Sequence, residues 1–307
     1  MSPDLAARLQ SAVPGIELAA VESPEAATRA VADAEAFAGL GRLFGPELLD
    51  AAPNLKWVHA MSAGAERFCP ALAGRTGVTL TNSRGAHAVP IAEHFLLMLL
   101  GLAHRMPEFL AQQSSRQWVR QEMAEVRGRT VLILGLGNLG REIVAAAQGI
   151  GLRVVGYDPY VLITAAAVER LYRYDELQAA LGQADIVVSC VPMAPSTAKM
   201  MGQAEFAAMR PGSYFINLSR GGVVDEPALV AALQSGHLAG AGLDVFAVEP
   251  LPEDSPLWSM PNVIITPHIA ANTPVTQQRL EDILVENARR YAEGRPLLNQ
   301  VDIARGF

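Results

Sequence analysis

Residues 130–158 read TVLILGLGNLGREIVAAAQGIGLRVVGYD, and the order of apolar, glycine and acidic residues in this stretch decides the fold. Val131 to Leu134 is an unbroken apolar run, the pattern of a strand buried on both faces of a parallel sheet. Gly135, Gly137 and Gly140 follow at GxGxxG spacing, and helical periodicity then runs through Ile143, Val144 and Ala147. A second strand, Arg153 to Tyr157, ends in Asp158. Gly135 permits a tight turn, Gly137 lets backbone approach a pyrophosphate, and Gly140 lets helix and strand pack closely. The N–H groups that open the helix face phosphate oxygens, while the Asp158 carboxylate can accept hydrogen bonds from an adenosine ribose. Glycine spacing alone says little in a chain with 26 glycines; strand, glycines, helix, strand and acid in register point to a dinucleotide. Asp158 would repel a 2′-phosphate, and Pro159-Tyr160-Val161-Leu162 holds no Arg or Lys to attract one, so NAD is expected over NADP.

Outward from this unit the alternation of strand and helix continues. Downstream strands are expected at Asp185–Cys190, Ser213–Leu218, Gly240–Val245 and Asn262–Thr266, each followed by polar or ionisable residues. Upstream, helices are expected at 4–10, Pro24–Ala32 and Pro46–Ala51, with strands at Ile16–Val21, Ala34–Gly39, Lys56–Met61 and Val78–Asn82. An apolar helix at 88–105 and a second at Leu110–Val119 lead to the glycine unit, and Val275–Glu293 forms the last helix. The fold class is therefore α/β: a Rossmann doubly wound nucleotide-binding domain, 102–275, inserted in a smaller flavodoxin-like α/β substrate domain, 1–101 plus 276–307. Two crossings of this kind make a hinged cleft.

Bulk properties narrow the class. Half the residues are hydrophobic and 18 % are charged, which excludes a disordered chain. A net charge of −7 without a basic stripe argues against nucleic acid. Cys69 and Cys190 make no metal or disulfide pattern, and no metal is expected. The start MSPDLAARLQ lacks a secretory profile, and the longest apolar run, Phe95 to Ala103, is too short to span a bilayer. A cytoplasmic protein is expected.

Arg220, Glu249 and His268 form the candidate catalytic set. Reduction of a 2-oxo acid by hydride transfer needs a fixed cation for the carboxylate and carbonyl, a proton donor for the developing alkoxide, and a group that keeps the donor charged. Arginine's planar fork suits the first role, histidine the second, and a neighbouring glutamate the third. Taken singly, each has a bland reading: a solvated Arg, a Glu in a Pro-rich loop, a loop His. The remaining histidines, His59, His87, His94, His104 and His237, read as structural or exposed.

Taken together, the runs NLSRGGVVDE (217–226), GLDVF (242–246), Glu249-Pro250 and TPHIA (266–270) resemble the D-isomer-specific 2-hydroxyacid dehydrogenases. The likeness extends from about Ala51 to Leu298, and the spacings of 29 residues from Arg220 to Glu249 and 19 on to His268 fit that family. It implies that Arg220 binds the substrate carboxylate and carbonyl and that Glu249 pairs with His268, the acid/base. It implies cofactor contacts at Gly135, Gly137, Asn138, Leu139, Gly140, Asp158, Cys190, Val191, Pro192, Thr197, Leu218, Ser219, Arg220 and His268, with Asp244 at the nicotinamide carboxamide. Ser62-Ala63-Gly64 resembles the family's carboxylate loop, so Ala63 and Gly64 would bind substrate beside Arg220 and His268. Glu93 matches the acid at the start of the family's long helix, so a homodimer through 88–105 is expected.

Three departures accompany the likeness. The chain starts almost in its first helix, so that either the family's opening strand is missing or the true start lies upstream; Ala194 stands where Thr is common; and no C-terminal regulatory domain is expected, which disfavours the long phosphoglycerate dehydrogenases. The expected activity is NADH-dependent reduction of a small 2-oxo acid, of the glyoxylate or hydroxypyruvate kind, to the D-2-hydroxy acid. A formate dehydrogenase-like enzyme is the near alternative, but that subgroup carries Gln where Glu249 stands. A cofactor-sensing corepressor-like binding protein is the alternative of another class.

Overall fold

The computed structural model describes residues 2–160 and 168–306. Packing divides them into two compact units: residues up to His87 together with those from Asn272 onward, and Ala88–Ala271. Val161 and Leu162, used above to argue cofactor type, lie outside the described residues.

In the first unit, α1 (Pro3–Ala12) and α2 (Pro24–Ala30) each begin at a serine whose hydroxyl caps the helix, with proline in the first turn. Strand β1 (Ala36–Gly39), helix α3 (Pro46–Asp50), strand β2 (Trp57–Ala60), short helix α4 (Cys69–Leu72) and strand β3 (Thr79–Asn82) follow. The three strands are parallel in the order β1-β2-β3, the consecutive half of a flavodoxin-like sheet. Residues 16–21 form no strand. Exposure alternates only from Ile16 to Ala19, the backbone joins no ladder, and Leu18 and Val21 lie only at the edge of apolar clusters.

The second unit opens with α5 (Ala88–Ala103) and α6 (Met106–Ser114). The second helix was expected at 110–119; it starts earlier because Pro107 sits in its first turn, and it stops at Ser115, whose hydroxyl bonds back to the carbonyls of Ala111 and Gln112. Next come β4 (Thr130–Leu134), α7 (Asn138–Gly149), β5 (Arg153–Tyr157), β6 (Arg170–Tyr172), α8 (Leu177–Leu181) and β7 (Ile186–Ser189). The unit continues through α9 (Gln203–Ala208), β8 (Ser213–Asn217), α10 (Glu226–Gln234), β9 (Leu238–Leu243) and β10 (Val263–Ile265). The last helix, α11 (Pro274–Ala292), belongs to the first unit and packs there on α1.

Among the described residues the second unit has seven strands, all parallel, in the order β10-β9-β8-β7-β4-β5-β6. Chain order reverses between β4 and β7, the switch point at which doubly wound sheets bind their ligands. Two apolar clusters, one on each face, bury the central strands completely: Leu132, Val187 and Phe215 point one way, Val131, Ile133 and Ile216 the other. This is why those strands read as unbroken apolar runs.

Candidate active site

The glycine turn lies at the switch point. Gly135 has φ +90°, and a Cβ there would meet Val191 and the carbonyl carbon of Cys190 at 3.1 and 3.2 Å. At Gly140 a Cβ would lie 2.0 Å from the Gly135 oxygen, so only glycine lets α7 start this close to the turn. Gly137 differs: a Cβ there meets nothing within 4 Å. It is the exposed N-cap of α7 and has no side chain with which to cap the helix, and Asn138 and Leu139, which open the first turn, are exposed and half-buried. That combination of donors, positive helix end and open room fits a pyrophosphate.

Asp158 ends β5, nearly buried. Its Oδ2 accepts from Leu136 N–H inside the glycine turn at 2.9 Å, and its Oδ1 accepts from Tyr160 N–H at 2.9 Å. The acid thus braces the turn. On the other flank of the switch point, Cys190 N–H continues the ladder to Leu134. The Thr197 hydroxyl closes the loop after it, donating to the Pro192 carbonyl at 2.6 Å and accepting from Ala194 N–H at 2.9 Å. Thr197, expected along the cofactor, therefore also shapes that loop from within.

After β8, Asn217 organises the loop that carries Arg220. Its Oδ1 accepts from the Ser219 amide and hydroxyl, its Nδ2 donates to the Arg220 carbonyl, and Ser189 Oγ meets Ser219 Oγ at 2.9 Å. Arg220 is half-buried in extended conformation, with Nη1 on the Ser219 carbonyl at 2.8 Å. A Cβ on the next residue, Gly221, would stand 1.8 Å from the Phe246 oxygen. The Arg220 loop and the loop after β9 are therefore in backbone-to-backbone contact.

That second loop carries the acid. Glu249 Oε1 accepts from Phe246 N–H at 3.0 Å, and Oε2 meets His268 Nδ1 at 2.8 Å. With Nδ1 held by the carboxylate, Nε2 is the ring nitrogen left to exchange a proton. His268 follows β10 at φ +52°. Its amide donates to the Asp244 carbonyl at 2.8 Å, and the Asp244 carboxylate accepts from Thr266 Oγ1, Ile269 N–H and Ala270 N–H at 2.6, 2.9 and 3.1 Å. A carboxylate has about four acceptor sites, and three of those on buried Asp244 serve the turn that presents His268. The structure so gathers Arg220, Asp244, Glu249 and His268 at one edge of one sheet.

In the first unit, the loop at 62–64 is fixed from beneath. Ser83 N–H donates to the Ser62 carbonyl at 2.9 Å, Asn82 Nδ2 to the Ala63 carbonyl at 2.7 Å, and Ser62 Oγ to the Gly64 carbonyl at 2.8 Å. Among the described residues the amides of Ala63 and Gly64 donate to no acceptor, as an anion-binding loop requires.

Sequence reasoning missed three contributors. Asn217 and Thr266 stood within the motif runs but were given no role of their own. His94, set aside as structural or exposed, brings Nε2 to 3.0 Å from Thr266 Oγ1; the available signal was a titratable residue in the midst of an otherwise apolar helix.

Comparison with known proteins agrees with this geometry. The model of the D-isomer specific 2-hydroxyacid dehydrogenase NAD-binding domain matches residues 96–270. The chain belongs to the D-isomer-specific 2-hydroxyacid dehydrogenases. Within that family it is 36 % identical over 265 residues to a D-3-phosphoglycerate dehydrogenase of Mycobacterium leprae, covering 85 % of this chain and 49 % of the relative. The chain spans about half the length of the curated relatives it matches. Solved structures match along nearly their whole length. A family member from Xanthobacter autotrophicus in complex with NADPH and MES is 33 % identical with a TM-score of 0.82, covering 100 % of this chain and 96 % of that one. An NADPH-dependent glyoxylate/hydroxypyruvate reductase from Sinorhizobium meliloti is 29 % identical with a TM-score of 0.85, covering 100 % and 97 %. Among the described residues no helix is long and apolar enough to cross a membrane, and no cluster of side chains suits a metal ion.

Proposed function

We propose that this dehydrogenase reduces a small 2-oxo acid to the D-2-hydroxy acid, using NADH in preference to NADPH. A reduced nicotinamide supplies the hydride. The glycines at 135, 137 and 140 with Asn138 and Leu139 hold the pyrophosphate, Asp158 the ribose, and the loops at Cys190–Pro192, Thr197, Leu218 and Ser219 flank the remainder. Arg220 binds the substrate carboxylate and polarises the carbonyl. Nε2 of His268 gives its proton to the carbonyl oxygen, and Glu249 fixes the ring and its tautomer. Ala63 and Gly64 are proposed as amide donors to the same carboxylate.

The observation that carries this reading is the His268–Glu249 pair at 2.8 Å, on a loop system in backbone contact with that of Arg220. Glu249 also disfavours the formate dehydrogenase-like alternative, whose chemistry needs no proton donor. Asp158 supports NADH, since a carboxylate on the ribose side repels a 2′-phosphate. We extend the proposal to a cytoplasmic homodimer through α5, whose Leu97 is 61 % exposed on a helix otherwise rich in buried residues.

The test is loss of near-ultraviolet absorbance of NADH and NADPH, in parallel, across a panel of 2-oxo acids. The panel contains glyoxylate, hydroxypyruvate and a phosphorylated hydroxypyruvate, because curated relatives are phosphoglycerate dehydrogenases. Faster oxidation of NADH with glyoxylate or hydroxypyruvate is expected. A strong NADPH preference overturns the role of Asp158 alone; tight NADH binding without turnover of any acid overturns the activity and favours the corepressor-like reading.

A further inference from the structure

His94 lies on α5, a helix whose other inward residues, among them Phe95, Met98 and Leu99, are apolar. Its ring is mostly buried, yet it reaches Thr266 Oγ1 at 3.0 Å, with Asp244 Oδ1 beyond at 4.0 Å. The proton order along this chain of groups is fixed by chemistry. The Asp244 carboxylate only accepts, so the Thr266 hydroxyl must donate to it at 2.6 Å. That hydroxyl therefore presents a lone pair to His94, and His94 must donate through Nε2–H. Burial holds the His94 imidazole below its ordinary range while Asp244 pulls the other way. A neutral ring with its one proton on Nε2 satisfies the order at neutral pH.

The far end of the chain is the turn of His268. Asp244 binds the amides of Ile269 and Ala270 through its carboxylate and that of His268 through its carbonyl. The turn needs such restraint, because a left-handed backbone conformation at a residue bearing a Cβ is sterically unfavourable and persists only where the surroundings impose it.

We propose that His94 is a positioning residue for the reaction: through the Thr266 hydroxyl it fixes the Asp244 carboxylate that holds residues 268–270 in the conformation presenting His268. The proposal rests on the reading of His268 as the acid/base. Removal of the donor leaves the Thr266 hydroxyl free to rotate away, which releases one arm of Asp244 and lets the turn relax. Misplacement of a proton donor by a fraction of an ångström to one ångström lowers turnover by about tenfold to a hundredfold.

The experiment compares His94→Leu, His94→Gln, Thr266→Val, Thr266→Ser, the double variant His94→Leu/Thr266→Val and His268→Gln, each for kcat, KM and NADH affinity. His94→Leu is expected to lower kcat about tenfold or more with NADH affinity within about twofold. His94→Gln and Thr266→Ser, which restore a donor and a hydroxyl, should recover most of the loss. The double variant should be no worse than the poorer single one, since both act through one chain. Wild-type kcat in His94→Leu, failure of glutamine to rescue, or additive losses would overturn the proposal. If His94→Leu does not fold, the Thr266→Val and Thr266→Ser pair carries the same comparison. Near-normal turnover in His268→Gln would overturn instead the acid/base reading; its loss alongside an active His94→Leu overturns the present proposal only.

Discussion

Acidification should weaken the first unit through one buried histidine, His59. It sits on β2 fully enclosed, with Nδ1 at 2.8 Å from Thr81 Oγ1 and Nε2 at 3.1 Å from Ser83 Oγ. Burial pushes its pKa down to about 4 from an ordinary 6.5. A histidine depressed in the folded state binds its proton more readily when unfolded. Its contribution is therefore fully present above pH 6.5 and lost as the pH falls from there through about 4. The shift of about 2.5 units, at about 1.4 kcal/mol per unit, makes that loss about 3 kcal/mol. Trp57 supplies the readout: it is buried and donates Nε1–H to Thr81 Oγ1 at 2.9 Å, whereas Trp118 and Trp258 are exposed. Urea unfolding followed by tryptophan fluorescence between pH 8 and pH 4 should show wild type losing about 3 kcal/mol more than His59→Gln. Parallel acid limbs in the two proteins would refute the reasoning.

Three further outcomes are expected. His268→Gln should lower kcat by about 10² to 10⁴ while NADH titrates as in wild type, the signature of a lost acid/base rather than a lost binding site. Gly221→Ala should abolish most turnover, because its Cβ would occupy the position of the Phe246 oxygen and force apart the loops of Arg220 and Glu249; steady-state kinetics beside fluorescence titration of NADH separates this from lost cofactor binding. Leu97→Glu should leave the thermal midpoint of the folded chain nearly unchanged, since Leu97 is exposed, yet shift sedimentation from the proposed dimer to monomer; a monomeric wild type would overturn the proposed dimer, and a dimeric variant would remove α5 from its interface.

The second unit was legible in the sequence because its strands are buried on both faces and its turn needs glycine at fixed positions. Both constraints leave unambiguous patterns. The edges were harder to read. Strand β6 is three residues long and pairs on one side only, so it leaves no apolar run, and residues 16–19 alternate like a strand without joining a sheet. At the site, Arg220, Glu249 and His268 were visible through motif spacing. What supports them was not: the bond from Asp158 to the glycine turn, the three donors on Asp244 and the reach of His94 to Thr266 join residues 22 to 172 positions apart. Only the folded chain brings those polar groups within bonding distance.

The contact of Gly221 with Phe246 makes the loops of Arg220 and Glu249 a single mechanical part, and Glu249 in turn holds His268. No side chain is interposed between the two loops, so a change that shifts one shifts the other. Such a part tolerates little change. A substitution meant to alter the choice of acid therefore belongs outside it, where it leaves the proposed reacting groups in place.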